Sequence, residues 1–115
     1  MRRALSTPIW PLALSLAFAL APARGEEAAA RRVVSANLCA DQLLLTLADR
    51  SQIASLSYLA VDETLSPVAQ EAKAFPLNRG AGEDIARLDA DLVLIGAYDT
   101  PFTRALLKER GLPAY

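Results

Sequence analysis

The chain has 115 residues, which allows at most one small domain. Its 12 Lys and Arg residues are balanced by 13 Asp and Glu residues, so it has no excess of basic charge with which to bind nucleic acid. Without histidine and with a single cysteine, the chain lacks an internal disulfide and nearly every common metal or nucleophile site. We therefore expect no catalytic residue, no resident metal and no cofactor.

The N-terminus has the three parts of a secretory signal peptide. Arg2 and Arg3 form a basic start, residues 9–21 are uncharged and apolar, and Ala21-Pro22-Ala23 fits the small-residue rule for cleavage. The apolar core has 13 residues and is interrupted by proline, so it falls short of the roughly 20 residues that cross a bilayer. We predict a signal peptide over 1–23, an exposed leader over 24–31, and an exported protein that does not span the membrane.

The first predicted unit is a strand that turns directly into a helix. Val33 and Val34 are β-branched, Asn37 stands where a helix N-cap is expected, and leucines and alanines follow. A second strand is predicted over 52–58, where apolar and polar residues alternate.

Weaker elements separate this unit from the clearest strand of the chain. They are a loop, a short helix opened by Ser and Pro, an extended segment with a turn, and a brief helix, at residues 59–65, 66–74, 75–80 and 82–88. The strand over 91–98 contains an unbroken apolar run, which predicts that both of its faces are covered. Thr100-Pro101 then starts a helix, Gly111 ends it, and residues 112–115 begin another strand.

Strands that alternate with helices predict an α/β fold, a three-layer sandwich with a parallel sheet. In such sheets, ligands bind in the crevice outside the carboxyl ends of the strands. Gly80 and Gly82 do not complete a dinucleotide fingerprint, and the sequence contains no phosphate-binding loop and no nucleophile elbow. The residues alone therefore indicate an exported α/β binding domain.

Four stretches carry a family resemblance. They are RVVSANLCADQLL from Arg32, IASLSY from Ile53 followed by LSP, PLNRG from Pro76 followed by EDIARL, and DLVLIGAY from Asp91 followed by a helix to RGLP. In this order and spacing they resemble the N-terminal lobe of class III periplasmic substrate-binding proteins of ABC importers for iron–siderophore, haem or cobalamin, the class that includes cobalamin- and ferrichrome-binding proteins. The resemblance covers residues 31–115.

The resemblance implies a bilobed periplasmic protein of which residues 32–115 are an incomplete N-terminal α/β lobe. Such a protein captures a metal chelate between its lobes and delivers it to an ABC transporter permease. The implied ligand contacts are the strand-end residues Asn37, Leu38, Cys39, Tyr58, Leu59, Asn78, Arg79, Gly80, Tyr98 and Asp99. Tyr58 and Tyr98 would stack on the chelate, and Arg79 would meet its carboxylate or phenolate oxygens. Glu83 matches the acidic residue that docks onto the permease.

Local physics leaves other roles open for each of these residues. The two tyrosines could pack on neighbouring loops, and Arg79 could be a solvated turn residue. Cys39 could be a small buried residue and Asn37 only a helix cap, while the acid at Glu83 suits any helix N-terminus.

Alternatives also remain open for the protein as a whole. The interlobe helix and second lobe of the family have no counterpart in the sequence, so we expect a truncated, split or degenerate version and a weak half-site. The other functions considered are an exported α/β enzyme fragment, a small flavodoxin-like domain and a non-functional truncated remnant.

Overall fold

The computed structural model describes residues 28–97, 99 and 101–115, in which strands and helices alternate. The strands β1 to β4 are Val33–Ser35, Ile53–Ser57, Leu77–Asn78 and Leu92–Leu94. The helices α1 to α4 are Leu38–Leu47, Ala69–Ala72, Gly82–Ala86 and Pro101–Glu109. Short 3-10 turns at Arg50–Gln52 and Tyr58–Val61 flank β2. The predicted signal peptide and residues 24–27 of the leader lie outside the described residues.

The four strands form one sheet, in which every pair is parallel and the order is β3, β2, β1, β4. Val33 of β1 lies opposite Ile53 on one side and Leu92 on the other. Beyond β4, Ala114 forms a parallel bridge with Val93, so the C-terminal residues begin another strand as predicted. The parallel α/β fold predicted from the sequence is therefore confirmed.

Successive residues of β1 point into different apolar cores, one on each face of the sheet. Val33 packs in the core that contains Leu44 of α1 and Ala72 of α2, whereas Val34 packs in the core that contains Leu107 of α4. Val34 and Leu107 are fully buried, and each such side chain stabilises the fold by about 1.5–3 kcal/mol. Helices thus lie on both faces of the sheet, as a three-layer sandwich requires.

Helix α1 begins where the sequence predicts, because Asn37 caps it. The Asn37 backbone is extended, and its Oδ1 accepts a hydrogen bond from the Ala40 N–H at 3.0 Å. This satisfies one of the N–H groups that a helix leaves without a partner, an interaction worth about 1 kcal/mol. The cap fixes the corner between β1 and α1.

Two predicted boundaries before β3 are wrong. The helix predicted over 66–74 is only the four residues of α2, because Ser66 and Pro67 form a turn in which Ser66 Oγ accepts from the Val68 N–H at 3.3 Å. The segment predicted as a loop over 59–65 begins with a 3-10 turn, in which the Asp62 N–H donates to the Leu59 carbonyl at 3.1 Å.

Strand β4 is shorter than the predicted 91–98, and its coverage is uneven. It ends at Leu94 because Gly96 turns away from the sheet: its N–H donates to the Asp99 carboxylate, and its carbonyl accepts from Arg104 Nη2 at 3.1 Å. The predicted residue at position 98 lies outside the described residues.

Both faces of β4 pack against a core as predicted, but they are covered unequally. Leu92 and Leu94 are only half-buried on the side of α1, next to Leu43 and Leu47, which are 56% and 78% exposed. These four leucines line an apolar groove between α1 and β4. Within the described residues, no helix has the length and hydropathy to cross a bilayer.

Candidate ligand-binding site

The carboxyl ends of the four parallel strands meet at one edge of the sheet, so the loops that follow them are neighbours. β1 leads into the corner at 36–37, and β2 leads into the 3-10 turn at Tyr58–Val61. β3 and β4 lead into the loops before α3 and α4. Because β1 lies between β2 and β4, its corner stands at the point where the order of the strands reverses, which is the usual place for a ligand crevice.

Asn78 holds three of these strands together from the inside. Its side-chain amide donates to the Ser35 carbonyl at 2.8 Å, to Ser55 Oγ at 2.9 Å and to the Leu56 carbonyl at 3.0 Å. Its Oδ1 accepts from the Gly80 N–H at 2.9 Å. The residue is only 5% exposed, so the structure places this predicted ligand contact beneath the site, where it fixes the loop after β3.

A second buried pair joins the start of α1 to the end of β2. Asp41 is fully buried, and its carboxylate accepts from the Ser57 N–H at 2.9 Å and from Ser57 Oγ at 2.5 Å. Buried carboxylates are costly unless such donors satisfy them, so the pair sets the relative position of the first two corners. Asp41 also lies in the first turn of α1, where a negative charge suits the helix dipole.

An open cleft of about 400 Å³ lies outside the ends of β1, β3 and β4. The loop after β3, the start of α3 and the first turn of α4 form its walls, with Ala36 contributed by the corner after β1. Gly80 has a φ of +76°, and a Cβ there would lie 3.6 Å from the Ala36 carbonyl. Glycine is needed for that left-handed backbone, which lets the third loop pass over the end of β1.

Tyr58 and Arg79 form a stacked pair at this edge. The Arg79 guanidinium carbon lies 5.6 Å from the centre of the Tyr58 ring, within the range of a cation–π contact. Tyr58 is 48% exposed, and Arg79 is exposed and also lines the cleft. The two residues predicted to contact a ligand from the second and third loops are therefore brought together on the surface.

The other predicted residues differ in how accessible they are. Leu38 and Leu59 are half-buried, and Asn37 is half-buried with its side chain engaged as the α1 cap. Cys39 is exposed, so the interpretation of this cysteine as a small buried residue is wrong. The first corner thus presents a free thiol beside a capping amide.

Two acidic residues, Asp99 and Glu83, also line the cleft. Asp99 is half-buried and accepts from the Gly96 N–H, while Glu83 is exposed at the start of α3. Both line the same cleft as Arg79. The residue predicted for permease docking therefore stands next to the predicted ligand contacts. The predicted contact Tyr98 lies outside the described residues.

Among the cleft residues that sequence reasoning missed, Phe102 has the largest side chain. It lies in the first turn of α4, is 66% exposed and lines the cleft. Leu107 and Thr103 are the buried residues of α4, and their spacing of four places them on one helix face. Because Phe102 falls outside that face, helical spacing counted from Leu107 would have identified it as an exposed aromatic at the strand-end edge.

The groups available at the cleft and beside it are two aromatic rings, one guanidinium, two carboxylates and backbone groups. Among the described residues, no group of three metal-ligating side chains is close enough to hold an ion. The carboxyls with a lowered pKa lie outside the cleft lining. Hydrogen bonds from Thr64 lower the pKa of Asp62, the Lys73 ammonium lowers that of Glu63, and backbone N–H groups lower that of Asp91.

Comparison with known proteins identifies a fold. No protein-family model and no curated protein matches the chain. Two solved structures do, namely the periplasmic haem-binding protein RhuT from Roseiflexus sp. RS-1 in its apo form and the periplasmic haem-binding protein HutB of Vibrio cholerae.

The two structures resemble this chain to about the same degree. RhuT has a TM-score of 0.57 and 20% identity over 75% of this chain and 33% of its own, and HutB has 0.55 and 20% over 72% and 32%. The chain thus spans about a third of the length of either protein. Over that third it has the α/β fold of these two periplasmic binding proteins.

Proposed function

We propose that the protein captures a metal chelate in the periplasm, outside the carboxyl ends of its strands, for delivery to an ABC importer. The ligand classes considered are iron–siderophores, haem and cobalamin. The fold of the two haem-binding neighbours supports a binding role of this kind. The observation that carries the proposal is that exposed Arg79 and Phe102 line one open cleft at that edge, while the exposed Tyr58 ring stacks on Arg79.

The composition of the cleft suits a large planar ligand. Exposed aromatic rings offer flat apolar faces, and the guanidinium offers hydrogen-bond donors. Gly80 and Gly82 also line the cleft. Sites that hold ligands tightly bury about 70–90% of the ligand surface, so this open cleft binds weakly unless a second surface closes on it.

Titration of the protein with haemin, a ferric siderophore and cobalamin tests the proposal. We expect saturable binding of at least one, seen as a change in the chelate's visible absorption and as quenching of tyrosine fluorescence. Tyr58→Ala and Phe102→Ala should each weaken the binding of the chelate severalfold, because one stacking contact between aromatic rings contributes about 1 kcal/mol or more. Tyr115→Ala is the matched control, since Tyr115 is 76% exposed but lines a different cleft. Failure of all three chelates to bind contradicts the proposal.

For delivery, Glu83 docks onto the permease. Its side chain is exposed and can meet a basic surface of that partner. Rim charges at interfaces act mainly on the rate of association and on its dependence on salt. Ligand-stimulated ATP hydrolysis by the importer, measured with the Glu83→Gln variant, should fall and should lose part of its salt dependence. Unchanged stimulation contradicts the docking role.

A further inference from the structure

The apolar groove between α1 and β4 has room for about one helix. Helix α1 packs on β1 and β2, where Leu44 shares a core with Val33 and Ile53. Strands of a sheet lie about 4.8 Å apart and packed helices about 8–10 Å apart, so one helix covers about two strands. On the α1 side of the sheet, β4 and the strand that begins at Ala114 are therefore left for one more helix, because α3 and α4 pack in the core on the opposite side.

The lining of this groove determines what kind of surface can cover it. Among the described residues that line the groove, none carries a charge, and Gln52 is the one with a polar side chain. The Gln52 amide is already used, since its Nε2 donates to the Ala30 carbonyl at 2.7 Å. The centre of a stable interface is depleted of charged residues, so the groove suits a neutral, apolar helix surface.

Helix α1 itself presents such a surface. Its exposed residues are Cys39, Leu43, Thr46 and Leu47, whose spacing places them along one stripe of the helix. Its one charged residue, Asp41, is fully buried, so the stripe is neutral. Among the described helices, only α1 exposes two leucines. A helix that is apolar on its inner and its outer face is typical of one covered on both sides.

We propose that two copies of the chain associate through this groove, each laying Leu43 and Leu47 of α1 over Leu92 and Leu94 of the other. The exposed leucines stand beside the groove, so the patch is complementary to itself, as a two-fold interface requires. A two-fold axis along the groove places each α1 in the groove of the other copy, and no charges of like sign meet there. Such an axis keeps the direction of the strands, so both strand-end clefts open at the same end of the dimer.

Sedimentation velocity of the exported protein at increasing concentration tests the inference. The wild type should pass from monomer to dimer. Leu43→Glu and Leu47→Glu should each raise the dissociation constant of the dimer about tenfold or more, because a two-fold interface loses the leucine contact twice and brings two like charges together. Leu47→Ala adds no charge and should weaken the dimer in the same direction by less. The test needs no chelate, so its outcome is independent of the proposed function.

Leu65→Glu is the matched control. Leu65 is 55% exposed, like Leu43 at 56%, but it lies outside the groove lining, so this variant should dimerise as the wild type does. Circular dichroism checks that each variant keeps the fold, which is expected because Leu43, Leu47 and Leu65 are all exposed. A wild type that stays monomeric up to about 1 mM overturns the inference, whether the groove is then open or covered by the N-terminal segment of the same chain. A dimer that Leu43→Glu and Leu47→Glu weaken no more than Leu65→Glu overturns it as well, because another surface then joins the copies.

Discussion

Removal of the buried carboxylate at Asp41 should destabilise the protein more than any change at its surface. Asp41 and Ser57 are 0% and 2% exposed, and two hydrogen bonds of 2.9 and 2.5 Å join them. Asp41→Ala leaves the N–H and the O–H of Ser57 without an acceptor in a buried place. Each unsatisfied buried donor costs about 1–3 kcal/mol, so we expect a loss of about 2–6 kcal/mol from the free energy of unfolding.

Smaller changes to the side chains of Asp41 and Ser57 should lower the free energy of unfolding by less. Ser57→Ala removes only the hydroxyl, and a hydrogen bond to a charged group is worth about 1.5–3 kcal/mol. Asp41→Asn keeps one acceptor and the volume of the side chain, so its cost should lie below that of Asp41→Ala. A domain has a free energy of unfolding of about 5–15 kcal/mol, so the alanine variant removes a large fraction of it.

Urea unfolding followed by far-ultraviolet circular dichroism measures these differences, since the described residues contain no tryptophan. Ser51→Ala is the control, because Ser51 is exposed and surface changes stay within about 0.5 kcal/mol. The double variant Asp41→Ala/Ser57→Ala should cost less than the sum of its parts, because the two residues are coupled. Values for Asp41→Ala and Ser57→Ala that match the Ser51 control would refute the reasoning.

Three further predictions concern acid stability, one glycine and the free thiol. Backbone N–H groups of Arg31 and Arg32 lower the pKa of Asp91, so the stability that this carboxylate contributes is complete above about pH 3.9 and is lost as the pH falls through the lowered value. Asp91→Asn should therefore shrink the difference between urea midpoints at pH 6 and pH 3, and an unchanged difference contradicts this assignment. Gly80→Ala should cost about 1–2 kcal/mol in urea unfolding, because φ there is +76°, whereas Gly80→Asn should cost less; equal costs would show that the loop relaxes. Cys39 is exposed and should react with a maleimide in the folded protein, more slowly when a chelate is bound; a rate indifferent to bound chelate places the thiol outside the site.

The parts of the fold that the sequence predicts well are those decided by neighbouring residues. β-branched residues at Val33 and Val34, followed by a capping Asn37, specify a strand, a corner and a helix without reference to the rest of the chain. The alternation over 52–58 likewise specifies β2. Because the resulting sheet is parallel, the loops that form the candidate site could be named before their contacts were known.

The roles that the sequence could not assign depend on partners far along the chain. Asn78 is 43 residues from Ser35, to whose carbonyl it donates, and Asp41 is 16 residues from Ser57. A polar side chain at a strand end looks the same in sequence whether it faces a ligand or satisfies buried backbone groups. Asn78 was therefore predicted as a contact, although its amide is used within the sheet.

The apolar groove between α1 and β4 is another feature that the sequence could not predict, because it too depends on contacts between distant parts of the chain. The continuous apolar run after Asp91 predicts burial on both faces, but coverage of a strand depends on where the crossing helices pass. Here α1 leaves Leu92 and Leu94 half-open, next to exposed Leu43 and Leu47. An apolar porphyrin could bind to such a groove without any relation to the strand-end cleft, so binding alone does not identify the site.

Mapping amide chemical shifts of the isotope-labelled protein during titration with zinc protoporphyrin, which is diamagnetic, tests the location of the site most directly. If the ligand binds at the strand-end cleft, the shifts that change and saturate belong to the corner at 36–39, to Tyr58, to the loop at 79–83 and to Phe102. If the changes instead concentrate on Leu43, Leu47, Leu92 and Leu94, or spread evenly over the chain, the strand-end cleft is not the ligand site.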